Sequence, residues 1–172
     1  HECSSAASDV YKRQDLTRTT NANELREALN SHLKPNPIAV IDVSEVNYDF
    51  HARFSAIKRH YRYGIINRRA PLTFDKGKYW RVGKKLNSKS MIKASKYLIG
   101  LHDFTTFRSS HCQSKSPSKT IDEIKIEQFD NEIIICVSAK SFLHNQVRSI
   151  VGSLKLVGEG KWKPKKIREI LD

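Results

Sequence analysis

"TIDEIKIEQFDNEIIICVSAKSFL", residues 120–143, predicts a β-hairpin, because two Ile- and Val-rich runs flank Asp130-Asn131, a pair that favours a tight turn. The stretch that follows is "LHNQVRSIVGSLKLVG", residues 143–158. Its apolar residues recur every three or four positions, at Leu143, Val147, Val151 and Leu154. This spacing is typical of a helix that packs on a core.

The rest of the chain mixes helices and strands without regular β-α-β alternation. Asn21 followed by Glu24 indicates a capped helix start, and Gly100 indicates a helix end. The predicted elements are helices from Asn21 to Pro35, over 88–100 and from Pro164 to Leu171, and strands over 38–46 and 57–67. The sequence therefore predicts an α+β fold with a mixed, largely antiparallel sheet and flanking helices.

The first 14 residues have no hydrophobic periodicity and no apolar segment typical of a signal peptide. They are predicted to be a non-native or disordered segment. Residues 15–172 are predicted to form the functional region.

Cysteine usage predicts neither a disulfide framework nor a zinc site. The three cysteines, Cys3, Cys112 and Cys136, are odd in number and form no C-x-x-C pair. This usage favours a reducing, cytoplasmic setting.

Positive charge is concentrated in two parts of a chain whose formal net charge is +13. Residues 58–93 hold twelve Lys or Arg and the single acid Asp75, and residues 161–168 hold five basic residues and no acid. Residues 94–160 are nearly balanced. This distribution indicates a polyanion partner, and nucleic acid is favoured over a membrane because no apolar run approaches the roughly 20 residues that span a bilayer.

The segment "FHARFSAIKRHYRYGIIN", residues 50–67, combines four Lys or Arg, two His and four aromatic rings with no acid. Strand alternation puts Tyr61 and Tyr63 on one face with Arg59. Such a face suits unstacked bases and their phosphates. The spacing fits equally well with core tyrosines beside a solvated charged face.

Two further segments are candidates for binding. In "SFLHNQVRSIVG", Arg148 precedes Gly152 by one helical turn, which leaves space for a ligand beside the guanidinium; taken alone, Arg148 fits better as a boundary residue that reaches water. The polar loop "LHDFTTFRSSHCQSKSP", residues 101–117, has the composition of many binding loops, although this signal is weak.

Taken together, these segments resemble the tRNA pseudouridine synthase A family from about residue 15 to the end. The similarity is carried, in order, by "FHARFSA…YRY", "LIGLHDFTTFR", "CQSKSP", "AKSFLHNQVRSIVG" and "LVGEGKW". The resemblance implies an isomerase that converts uridine to pseudouridine in the anticodon stem-loop of tRNA. It also implies a homodimer, a positively charged cleft, and no metal or cofactor.

The resemblance assigns the site residue by residue. The catalytic positions are Tyr61 and Arg148. The positions that contact tRNA are Phe50, His51, Ala52, Arg53, Phe54, Arg69, Trp80, Arg81, His111, Cys112, Gln113, Ser114 and Lys115. In the implied mechanism a nucleophilic aspartate attacks the flipped uridine, Arg148 pairs with that carboxylate, and Tyr61 stacks on the base and takes a proton from C5.

One departure from the family bears on activity. The family's nucleophilic aspartate lies in a "GRTDAG" type motif, and the 172 residues contain none. Asp9 and Asp15 lack the flanking Gly and Arg, so the chain is expected to be a C-terminal fragment that is inactive alone. "HNQ" at 144–146 also departs from the family's frequent second His and Met. The alternatives are a non-catalytic RNA-binding module and an assembly protein with an acidic partner.

Overall fold

The computed structural model describes residues 11–52 and 54–171. Two compact units divide these residues, one ending at Ala56 and the other beginning at Ile57. The helices within the described ranges are all too short or too polar to cross a membrane.

Among its described residues the first unit contains one helix, α1, over Ala22–Leu33, which confirms the predicted helix. The side chain of Asn21 caps it by accepting a hydrogen bond of 2.8 Å from the backbone N–H of Asn23. This bond satisfies one of the N–H groups that the first helical turn leaves without an intrahelical partner.

The predicted strand over residues 38–46 was wrong, because this segment is irregular. Its backbone is tied instead to the side chain of Asn30, which accepts from Val40 N at 2.7 Å and donates to Val40 O at 2.9 Å. Ile38 and Ile41 are 62% and 80% exposed. The segment has the apolar pattern of a strand, but a strand also needs a neighbouring strand as its hydrogen-bond partner. Within the described part of this unit, the partner of the segment is the amide side chain of Asn30.

A five-stranded sheet forms the centre of the second unit, with strand order β2-β1-β5-β4-β3. The strands are β1 Arg59–Ile66, β2 Trp80–Arg81, β3 Gly100–Asp103, β4 Ser118–Phe129 and β5 Glu132–Ala139. Only the β1–β2 pair is parallel. The predicted mixed, largely antiparallel sheet is therefore confirmed, as is the hairpin at Asp130, whose φ of 48° is the left-handed conformation that a tight turn uses.

Three helices accompany the sheet: α2 Ser88–Ser95, α3 Gln146–Gly158 and α4 Lys166–Glu169. The apolar stripe predicted for 143–158 is buried, with Val151 and Leu154 fully enclosed. The helix predicted over 88–100 ends earlier than expected. After Ser95 it tightens into a 3-10 turn, and Gly100, with φ of 103°, opens β3 instead of closing the helix.

The two faces of the sheet differ. On one face the apolar side chains of β1, β5 and β4 join the core, as at Ile65 and its partner Ile133. On the other face, the ring of Tyr79 lies against Gly64, and a Cβ at Gly64 would overlap that ring. The Tyr79 hydroxyl donates to Glu132 at 2.7 Å, so a side chain at position 64 would disturb this hydrogen bond.

The C-terminal end of α3 is fixed by a nearly buried carboxylate. Glu159, with 6% of its side chain exposed, lies 2.7 Å from Lys155 Nζ and 3.2 Å from Lys161 Nζ. The hydrogen bond from Lys155 is the largest cause that holds the pKa of Glu159 below its ordinary value of 4.5; burial opposes it and Lys161 adds to it. The backbone N–H of Asn87 donates to Gly158 O at 2.9 Å at the same end.

We expect Glu159→Gln to lower the free energy of unfolding at neutral pH. A carboxylate whose pKa is lower in the folded than in the unfolded state stabilises the folded protein fully above pH 4.5, its ordinary pKa. That contribution is lost as the pH falls through the folded-state pKa. The variant should therefore lose less stability on acidification than the unmodified protein. Urea unfolding at neutral pH and at several values below 4.5 measures both effects.

Glu169→Gln is the matched control, because Glu169 also pairs with a lysine but its side chain is 60% exposed. Exposed ion pairs contribute little, so its unfolding curve should change less. Equal effects of the two substitutions would contradict the anchoring role of Glu159.

Candidate active site and RNA interface

The candidate site is built around the connector between β5 and α3, residues 140–145. Tyr61 of β1 pairs in register with Val137 near the end of β5. Its ring meets the ring of Phe142 edge-on, with centroids 5.1 Å apart. Phe142 therefore supports one side of the ring. Tyr61 is still 48% exposed, so the residue stays accessible.

Tyr63 differs from Tyr61 although both lie on the same face of β1. It is half-buried, packs against the hydrophobic core, and meets the ring of Trp80 edge-on at 6.4 Å. Of the two alternatives that the spacing left open, core packing describes Tyr63, whereas the exposure of Tyr61 leaves it available to a ligand.

Arg148 lies in the first turn of α3 and is exposed. Its Nη1 donates to the side-chain oxygen of Asn145 at 3.2 Å. Asn145 adopts φ of 63°, a left-handed conformation that Asn tolerates better than most residues, and its side chain does not cap the helix. The Asn145 amide instead limits the positions that the guanidinium can take.

Gln146 holds the same connector from inside the protein and was missed as a site residue. It is fully buried, and its Oε1 accepts from the backbone N–H of Leu143 at 2.8 Å. Its backbone N–H donates to Leu143 O at 3.1 Å. The spacing does place Gln146 on the buried stripe, three residues after Leu143 and four before Ile150, but it does not indicate the hydrogen bond to Leu143.

The polar loop predicted to bind RNA reaches this connector. The backbone N–H of Ser109 donates to His144 O at 3.0 Å. The backbone at Ser114 is the largest cause that lowers the pKa of Cys112; the backbone at His144 adds to it and burial opposes it. The base of the loop is anchored by Phe104 and Phe107, which are buried against each other. The loop positions named for RNA contact follow this anchor in the chain, and His111, Gln113 and Lys115 are exposed while Cys112 and Ser114 are half-buried.

A second group of predicted RNA-contacting residues gathers at β2. Arg81 donates through Nη1 to Arg69 O at 2.6 Å. The ring of Trp80 lies 5.7 Å from Lys155 Nζ, a cation–π geometry. Lys155 follows Arg148 by seven residues, about two turns along the same side of α3, so this helix runs between the two groups.

The third predicted segment belongs to the first unit and forms a tight turn. The backbone N–H of Ser55 donates to His51 O at 2.8 Å, and the backbone N–H of His51 donates to Ser55 Oγ at 2.9 Å. The rings of His51 and Phe54 stack with centroids 4.4 Å apart. Phe50 and Ala52 are half-buried in this turn. Arg53 lies outside the described residues.

Part of the charge in residues 50–67 is compensated by acids distant in sequence. Lys58 lies 3.1 Å from Asp122, and Arg62 lies 3.2 Å from Glu132. A hydrogen bond involving Tyr79 is the largest cause that raises the pKa of Arg62, and Glu132 adds to it. The segment therefore uses some of its cations to join the sheet, which the sequence alone did not indicate.

Potential metal ligands are dispersed. Across residues 11–52 and 54–171, no three His, Cys, Asp or Glu side chains cluster closely enough to hold a metal ion.

Comparisons with known proteins agree on one family. The family model described as "tRNA pseudouridine synthase" matches residues 94–172. The "tRNA pseudouridine synthase A" of Parvibaculum lavamentivorans is 54% identical over 157 residues, which cover 91% of this chain and 64% of that protein. The protein of the same name from Maricaulis maris is 51% identical over 158 residues, covering 92% of this chain and 64% of its own length. The chain spans less than two thirds of the length of these relatives.

We expect Gly152→Ala to stabilise the protein and weaken RNA binding. A Cβ at Gly152 would meet no atom within 4 Å, so the helix should gain about 0.5–1 kcal/mol from the lower backbone entropy of the unfolded chain. If RNA occupies the space one turn from Arg148, the added methyl group should clash with it. Thermal unfolding and tRNA titration measure the two effects.

Gly158→Ala is the control on the same helix. Its Cβ would lie 2.8 Å from Met91 Sδ and 3.2 Å from Leu86 Cδ2, so overpacking should cost about 1–3 kcal/mol. Unchanged tRNA affinity in Gly152→Ala would show that the space beside this glycine is not used by RNA.

Proposed function

We propose that this chain is a member of the tRNA pseudouridine synthase A family. It binds tRNA and supplies the tyrosine and arginine of an active site that isomerises uridine to pseudouridine. The observation that carries the proposal is the shared connector. Residues 140–145 contact Tyr61 through Phe142, the polar loop through His144, and Arg148 through Asn145. The names and sequence identity of the relatives support the same activity.

Arg148 has the role of orienting the nucleophilic carboxylate. It is exposed and already held on one side by Asn145, and Asn145 is a neutral acceptor that does not neutralise the guanidinium. A carboxylate that approaches it gains a charge-assisted hydrogen bond, which lowers the carboxylate pKa and keeps it ionised for attack on the sugar.

Tyr61 has the role of holding the flipped base and moving a proton. Its ring is supported by Phe142 and accessible, so a base can stack on it. After the glycosidic bond is broken and the base is re-attached through carbon, the proton on C5 must leave. The Tyr61 hydroxyl is the group that this proposal assigns to that transfer.

The nucleophile itself is not among the 172 residues, which contain no "GRTDAG" type motif. In this proposal the aspartate comes from outside the chain, and the 172 residues alone bind tRNA without modifying it. For the isolated chain, the absence of this motif also favours the alternative of a non-catalytic RNA-binding module.

The RNA contacts are proposed on charge and exposure. Lys115 in the polar loop and Arg81 in β2 are exposed cations. Phe54, 75% exposed in the first unit, offers a further stacking surface. The anticodon stem-loop as target and a homodimeric assembly follow from the family resemblance and stay predictions.

We expect the 172-residue chain to make no pseudouridine in a tRNA transcript, because no nucleophilic aspartate is available. The chain joined to the N-terminal region of the Parvibaculum lavamentivorans relative should make it. Mass spectrometry or carbodiimide-based detection of pseudouridine measures both results.

The control is the joined protein with its motif aspartate changed to asparagine, which should be inactive. Pseudouridine made by the chain alone would contradict the assignment of the nucleophile. A joined protein that folds by circular dichroism but makes none would contradict the proposed function.

We expect Tyr61→Phe in the joined protein to keep tRNA affinity and to lose turnover by about 10²-fold or more, because the ring stays while the proton-transfer group is removed. Tyr61→Ala should also lose roughly 1–3 kcal/mol of stacking. Single-turnover kinetics and tRNA titration separate the two effects.

Tyr63→Phe is the matched control on the same strand face, and its turnover should change little because that ring packs on the core. Full turnover in Tyr61→Phe would refute proton transfer by Tyr61 and leave it a stacking role only.

A further inference from the structure

A second basic surface lies at the far end of α3 and has no part in the proposed chemistry. It is formed by two segments, "KKLNSK" at 84–89 and "KWKPKKIR" at 161–168. Six of its exposed lysines are Lys84, Lys85, Lys89, Lys161, Lys163 and Lys165, and the seventh, Lys166, pairs with Glu169. We call these six residues the C-terminal basic surface.

Hydrogen bonds fix the first segment to the C-terminal end of α3. The backbone N–H of Asn87 donates to Gly158 O at 2.9 Å, and Lys84 Nζ donates to Glu159 O at 2.9 Å. Leu86, between these two residues, is buried against the same end of the helix. The chain then turns at Gly160 directly into the second segment, and Lys84 and Lys161, one from each segment, both contact Glu159.

Little of this charge is neutralised within the protein. Glu159 pairs with Lys161, but it also pairs with Lys155 and is nearly buried. Within residues 11–52 and 54–171, Lys85, Lys89, Lys163 and Lys165 form no ion pair with an acid. Like charges held together without counter-charges destabilise a compact state, and a bound polyanion removes that cost.

The distance to the active site suits a single RNA. Arg148 and Gly158 are ten residues apart on α3, which is roughly 15 Å at 1.5 Å per residue. A nucleic-acid strand advances about 3.4 Å per nucleotide along a duplex, so this separation corresponds to roughly four to five nucleotides. An RNA that places one nucleotide beside Arg148 therefore extends far enough to reach the C-terminal basic surface.

We propose that the C-terminal basic surface binds the phosphate backbone of the same tRNA outside the loop that carries the target uridine. This inference rests on the proposed function. The surface presents flexible ammonium groups, whereas its aromatic residue, Trp162, is half-buried and packs against the core. Such a surface contacts phosphates without reading bases, so it positions the substrate and does not select its sequence.

The test measures tRNA affinity of the 172-residue chain over a series of salt concentrations. The variant Lys85→Gln/Lys163→Gln/Lys165→Gln is compared with Lys12→Gln/Lys34→Gln/Lys125→Gln, which removes the same charge from exposed lysines outside the surface. Loss of three phosphate contacts should reduce the slope of log affinity against log salt by roughly two to three units. The control should keep nearly the full slope. Thermal unfolding checks that both variants fold.

A second probe, an oligonucleotide with three nucleotides on either side of the target uridine, locates the contact. The surface variant and the unmodified chain should bind this oligonucleotide equally, because its backbone ends before the surface, which lies roughly four to five nucleotides away. Equal slopes for the two variants on tRNA, or an equal loss on tRNA and oligonucleotide, would overturn the inference. An unchanged tRNA slope with weaker binding of poly-L-glutamate would assign the surface to an acidic protein instead. Failure of the proposed function is detected separately, in the pseudouridine assay of the joined protein.

Discussion

β5 is hydrogen-bonded along both edges, to β1 on one side and β4 on the other, and the candidate site depends on this double pairing. A one-residue slip in either register would move every side chain of a strand to the other face of the sheet. The register with β1 puts Tyr61 opposite Val137, two residues before β5 ends. The connector that follows is therefore already beside Tyr61 when it turns into α3, so Phe142 reaches the ring.

Charge has two different uses in this chain, and only the structure separates them. Arg62 of β1 pairs with Glu132 of the neighbouring strand β5, and Lys58 pairs with Asp122 of β4; both acids are distant in sequence. Exposed ion pairs of this kind contribute little stability, but they do balance charge that a sequence count treats as free. In the proposed function, the cations available to RNA are those whose neighbours are carbonyls or amides, as at Arg148 and Arg81.

The sequence predicted the elements whose partners are close in the chain. The β4–β5 hairpin needs only a two-residue turn and two apolar runs, and α3 needs only its own stripe, so local patterns were sufficient. Residues 38–46 carry an equally clear pattern but form no strand, since a strand requires a partner that the pattern cannot supply. α2 ends earlier than predicted, and Gly100 belongs to β3, where it pairs with Ile121 of β4. That pairing is a contact between residues distant in sequence, so a local pattern does not reveal it.

The site was predictable only in part, for a related reason. Spacing alone favoured Arg148 as a boundary residue, and it was the family motif that pointed to catalysis. Neither source indicated that Asn145 and Gln146 would hold the turn from opposite sides, one through Arg148 and the other through Leu143. A guanidinium fixed by contacts within the protein needs less ordering when a carboxylate binds, so more of the charge-pair energy is available for catalysis. The proposed role of the exposed Arg148 therefore rests also on the buried Gln146, which holds the connector through Leu143.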